Sequence, residues 1–164
     1  EVIEQATSFI VNYEYSRAKL ESEKFFWQTF CDNYLEIVKD RIYNSKGDKR
    51  ISAQYTLYRS LLCLLKLFAP ITPFITEEIY QTYFRKIEKD KSIHISQWPE
   101  KFLIKGDSSI FDLMIETISK VRQEKSKAQK ALNSEIVLYL IKTDKKKLQN
   151  VLEDLKAVTK ASNI

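Results

Sequence analysis

The side chains that could act as catalysts are few in this chain of 164 residues. Its one histidine, His94, lies in the stretch "SIHISQWPE". That setting is extended and polar, and fits a structural residue better than a general base. Cys31 and Cys63 with one histidine do not make a zinc set. Both cysteines fall in helical apolar patterns. A disulfide is one reading; reduced, partly buried thiols in a cytoplasmic protein is the preferred one. Two isolated glycines, Gly47 and Gly106, cannot build a phosphate-cradling loop. Asp32 and Glu36 stand one helical turn apart, as paired carboxylates could, but Lys39 and Asp40 beside them favour a solvated face.

What remains is basic and aromatic. The segment "SKVRQEKSKAQK", Ser119–Lys130, holds five Lys/Arg and one Glu. Lys120, Lys127 and Lys130 approach one face of a helix, and Arg122 and Lys125 another. Residues 1–100 carry 14 basic and 14 acidic side chains, residues 101–164 carry 13 and 8, so the whole net charge of +5 sits in the second part. Such a segment suits phosphate contacts, where charge matters more than sequence. A solvated lysine face explains the same residues, and at this level both readings stand.

The elements that would position these groups are helices. Two glycines are too few for the turns of an all-β or α/β fold. Helical spacing predicts a first helix over about Val2–Asn12 and a second over about Ser16–Tyr43. The second has an apolar stripe of Trp27, Cys31, Tyr34, Val38 and Ile42, widened by Phe26, Phe30 and Ile37. It stops at "NSKGDK", where Gly47 can turn left-handed. A third helix, about Ile51–Ala69, has two apolar rows, Ile51/Tyr55/Tyr58/Leu62/Leu65 and Leu57/Leu61/Leu64/Phe68. Its polar stripe is Ser52, Thr56, Arg59, Cys63 and Lys66. That pattern predicts the most buried helix of a bundle, with one basic edge.

Pro70 ends this helix, and Thr72 with Pro73 starts a fourth, about Pro73–Ile87, capped by the Thr72 hydroxyl. Glu77 and Glu78 lie near the positive end of its dipole. Its expected core residues are Phe74, Ile75, Ile79, Tyr80, Tyr83 and Phe84. Further on, the pattern predicts a helix over Ser109–Ala131 with Ile110, Leu113, Met114, Thr117, Ile118 and Val121 inward. A buried strand over Glu135–Lys142 follows, then a last helix capped by Asp144 with Leu148, Val151, Leu152, Leu155 and Val158 inward. The apolar run Leu61–Leu65 is too short to span a bilayer, so no membrane partner is expected.

Three stretches in fixed order, "FFWQTFCDNYLEIVKDR", "LLKLFAPITPFITEEIYQ" and "SIHISQWP", resemble the anticodon-binding domain of class I aminoacyl-tRNA synthetases, most of all the valyl branch. Isoleucyl and leucyl relatives share the proline break but differ around Phe30–Lys39. The resemblance covers nearly the whole chain. It implies a mainly α antiparallel helix bundle over residues 1–100 and a helix–strand–helix appendage over 101–164, truncated. It also implies a part of an enzyme. The HIGH and KMSKS motifs of the family's catalytic core are not in this sequence, and "KSK" at Lys125–Lys127 is not the latter.

The implied partners are tRNA, specifically tRNA(Val), and the catalytic domain of the same parent chain. ATP and magnesium are implied for that parent, and no cofactor for this part. Single-stranded loop bases can be stacked on aromatics and read at their edges. Phe26, Trp27, Asn33 and Tyr34 are the candidate readers; the aromatics compete with a place in the core. Lys39, Arg41, Arg59, Lys66, Arg122, Lys125 and Lys127 are the candidate tRNA-binding cations. A helical protein-interaction module without RNA is the rival outside this class.

Overall fold

The computed structural model describes residues 1–101 and 107–164. Gly106 lies outside them. The chain is mainly α-helical, with two short strands among the described residues. It separates into two compact units. The first takes Glu1–Asp32 and the chain from Ile51 through the first described stretch. The second takes Asn33–Arg50 and the chain from residue 107 on. The division after residue 100 expected from the sequence therefore misses one feature: Asn33–Arg50 packs with the C-terminal part.

In the first unit, α1 (Val2–Val11) packs against α2 (Tyr15–Lys24). The helix then continues as a π-helical segment, Phe25–Leu35, which leads into α3 (Glu36–Tyr43). An i→i+5 pattern has a longer turn than an α-helix, so α-periodicity drifts around the axis. This explains why the expected stripe is only partly inward. Phe30, Ile37 and Val38 are buried, whereas Trp27 is 59% exposed. Gly47, with φ of 62°, makes the expected left-handed turn.

The long helix α4 (Asp48–Phe68) buries Ala53, Leu62, Leu64, Leu65 and Leu67. In its N-terminal turns only Ala53 is buried; Ile51 and Tyr55 are exposed, contrary to the first apolar row. Chain reversal follows at Pro70–Pro73. α5 (Pro73–Ile79) begins with proline as expected, but Thr72 provides no side-chain cap. Its hydroxyl donates back to the Phe68 carbonyl, 3.3 Å away. Thr76 takes the inward position instead, donating to the carbonyls of Thr72 (2.9 Å) and Pro73 (3.1 Å). After α5 a second π-helical segment, Tyr80–Phe84, precedes α6 (Arg85–Glu88).

Leu62, Leu65, Ala69, Tyr80, Phe84 and Ile93 form one core cluster, with Tyr58, Leu61 and Ile79 packed against it. The Tyr58 and Phe84 rings lie 4.9 Å apart. Tyr80 is fully buried, and its hydroxyl reaches the Asp90 carbonyl at 3.2 Å. Phe74, Ile75 and Tyr83, expected inside, are exposed. Glu77 secures the return of the chain by accepting from the Ser92 hydroxyl (2.8 Å) and the Ile93 amide (3.0 Å). The expected extended stretch at Ile93 contains one 3-10 turn, Ile93–Ile95.

In the second unit, α7 (Ser108–Lys127) is capped by Asp107, whose carboxylate accepts from the Ser109 amide. Met114 and Ile118 are its buried apolar positions. The expected strand is short. β1 (Ile136–Val137) pairs in parallel with β2 (Ala161–Asn163); Val137 within it, and Tyr139 and Ile141 beyond it, are exposed. Apolar side chains on both faces thus do not mean burial on both faces here. The single last helix is broken into α8 (Lys142–Lys147), a 3-10 turn, and α9 (Leu152–Thr159). Asp144 lies inside α8 and does not cap it. α9 packs on α3 and α7, and Leu148 and Leu155 are fully buried.

Leu65→Ala should cost about 2–5 kcal/mol through lost burial and a residual cavity. Phe74→Ala, at a position 90% exposed, should stay within about 0.5 kcal/mol. Urea unfolding of both variants checks this; a Leu65 loss below about 1 kcal/mol would contradict the packing.

Candidate nucleic-acid interface

The candidate residues fall into two sets, one in each unit. Phe26, Trp27, Arg59 and Lys66 belong to the first. The Phe26 ring meets Trp27 edge-on at 4.8 Å, Phe30 at 6.4 Å and Phe68 at 6.0 Å. Phe26 is therefore half-buried support. Trp27, at the outer edge of this ring cluster, is the side chain presented to solvent. Arg59 and Lys66 stand along one side of α4 with Cys63 between them. Together they line a cleft of about 280 Å³ with Trp98, a residue absent from the sequence-based set. Burial pushes the Cys63 thiol up to about 11, although the Lys66 and Arg59 charges pull it down. It is a neutral thiol, not a nucleophile. Cys31 and Cys63 are both free.

The second set is Asn33, Tyr34, Lys39, Arg41, Arg122, Lys125 and Lys127. Two of these are corrections. Lys125 is buried, and its ammonium donates to the carbonyls of Leu132 (2.7 Å), Ser134 (2.8 Å) and Thr159 (2.8 Å). Three acceptors use all three donors of the charged form, so no donor is left for phosphate. Burial, with the Lys160 charge, lowers its pKa; the carbonyls replace the water it has lost. Arg41 is likewise a structural clamp. Its Nε donates to Asp154 Oδ1 at 2.6 Å and its Nη2 to Oδ2. Asp154 is buried, and this hydrogen-bonded carboxylate raises the Arg41 pKa despite burial.

The remaining members keep surface positions. Arg122 is half-buried and donates to Asn33 Oδ1 at 3.3 Å, so α7 orients that amide. Tyr34 is half-buried. Lys39 and Lys127 are exposed and ion-paired with Glu36 and Glu124. Exposed pairs of this kind contribute little and exchange readily for another anion. The sequence reading also missed Lys142, Lys145, Lys146 and Lys147, which are exposed on α8. Their signal was the run "KTDKKK" itself, overlooked beside the longer basic segment.

A family of anticodon-binding domains of tRNA ligases matches residues 1–140. The chain belongs to that family. Among curated proteins, this anticodon-binding domain is similar to the valine–tRNA ligase of Rickettsia felis, 41% identical over 100% of this chain and 19% of the relative. It is 36% identical to that of Orientia tsutsugamushi over 99% of the chain and 20% of the relative. It is 36% identical to that of Haloarcula marismortui over 82% of the chain and 14% of the relative. The chain thus spans about a fifth or less of the length of these relatives. The expected helix bundle and the resemblance to the valyl branch both agree with these findings.

Lys125→Met should remove the three-carbonyl clasp and cost at least about 2 kcal/mol, since buried acceptors lose their donors. Lys127→Met should change stability by less than about 0.5 kcal/mol. Thermal unfolding separates the two; equal effects would return Lys125 to the surface.

Proposed function

We propose that this domain recognises the anticodon arm of tRNA(Val) as part of a valine–tRNA ligase. One observation carries the reading: along its whole length the chain is 36–41% identical to valine–tRNA ligases. In the parent protein, a catalytic domain outside this sequence would activate valine with ATP and magnesium and transfer it to tRNA. Among the described residues no group of three His, Cys, Asp or Glu side chains could hold a metal ion. A cytoplasmic location goes with this role.

Within the domain the labour divides by chemistry. Trp27 offers an exposed indole backed by Phe26, a surface on which an unpaired base can stack. Asn33, oriented by Arg122, offers an amide for a base edge. Lys39, Lys127 and the α8 lysines supply charge that holds phosphate without reading sequence. An isoleucyl or leucyl parent would keep the same architecture and differ in the preferred tRNA.

Filter-binding competition between purified tRNA(Val) and tRNA(Ile) should show preference for the former. The double variant Lys39→Ala/Lys127→Ala should weaken both equally and flatten the slope of log affinity against log salt by about 0.7–0.9 per lost contact. Trp27→Ala should weaken binding by roughly 5- to 150-fold with the slope unchanged. Binding without salt dependence would favour a protein-interaction module.

A further inference from the structure

We infer that the cleft beside Trp98 is a subsite for one nucleotide of single-stranded RNA, with its phosphate on Lys66 and its base on the indole. The inference rests on the tRNA-binding reading above and adds a place where one residue of the RNA is held. Lys66 is half-buried on α4. Lys39, Lys101, Lys120 and Lys127 each have a glutamate partner. Among the described residues no carboxylate lies within ion-pair distance of the Lys66 ammonium. A partly desolvated cation with no ion-pair contact favours an anionic ligand.

The rest of the cleft fits the same ligand. Arg59 adds positive charge to its wall, which also carries Glu88, Glu100 and Lys101. Glu88 already accepts from the Tyr58 hydroxyl at 2.8 Å, and Lys101 from its side is paired with Glu4. The indole of Trp98 is fixed before any ligand arrives, because its Nε1–H donates to Thr7 Oγ1 at 2.8 Å. Buried Pro99 restrains the chain just after it. A fixed aromatic plane costs little ordering on binding, and every base has a face to lay on it. The volume of about 280 Å³ falls below the ~300–1,000 Å³ of drug- and cofactor-sized pockets, so the cleft suits one small unit. The Cys63 thiol at its wall is kept neutral by burial and does not repel phosphate.

The test uses the intact chain labelled with ¹⁵N-tryptophan. Its two tryptophans, Trp27 and Trp98, give two indole N–H signals, assigned by Trp27→Phe. The probe is a 5′-phosphorylated ribotrinucleotide, titrated into the unsubstituted protein alongside tRNA binding measured separately. The Trp98 signal should shift saturably, and Lys66→Ala should weaken that response at least about tenfold. The trinucleotide without its 5′-phosphate should give the same shift at higher concentration. Lys66→Ala keeps the fold in reserve as a control: an unchanged Trp98 indole signal in the free variant shows that the cleft is intact. If the probe moves the Trp27 signal and leaves that of Trp98 in place, the subsite is overturned and the tRNA reading stands. If tRNA itself does not bind, both fall.

Discussion

An ammonium group removed from water needs acceptors on every side, and Lys125 finds them in the carbonyls of Leu132, Ser134 and Thr159. That constraint organises the second unit. One carbonyl closes α9, and the other two belong to the turn that leaves α7 for β1. The clasp therefore holds the end of one helix, the approach to one strand and the departure point of its partner. β2 begins two residues after Thr159, with Lys160 in the left-handed region at φ of 58°. The Arg41–Asp154 pair fastens the other side of α9 to α3. Two cations that composition assigns to a ligand are thus used to build the unit that presents the others.

The first unit depends on a different constraint, the break between two prolines. Pro70 ends α4 and Pro73 opens α5, and the turn between them brings Leu62 and Leu65 against Tyr80 and Phe84. Glu77 then fixes the following segment by its bonds to Ser92 and Ile93. That segment leads directly to Trp98, whose indole is tied to α1 through Thr7. The geometry of the Trp98 cleft follows from the same chain reversal that makes the core.

Helix positions were legible because proline, the glycine shortage and apolar spacing are local signals. Faces were less legible. The π-helical segments Phe25–Leu35 and Tyr80–Phe84 change the turn length, so Trp27 and Tyr83 emerge where α-periodicity hides them. Left-handed helix ends at Tyr13, Lys89 and Lys160 carry no glycine to announce them. Lys125 and Arg41 read as surface cations because their acceptors come from distant sequence or from backbone. The Trp98 cleft was hidden for a similar reason: Arg59 and Lys66 are legible on α4, but the wall opposite arrives about thirty residues later.

The proposed role is that this domain grips one end of a tRNA. Hydroxyl-radical footprinting of tRNA(Val) bound to it measures that directly, because cleavage reports every sugar the protein covers. Protection confined to the anticodon loop and the adjoining stem, and lost at high salt, is the predicted result. Protection of the acceptor stem with the anticodon loop left open would contradict the account.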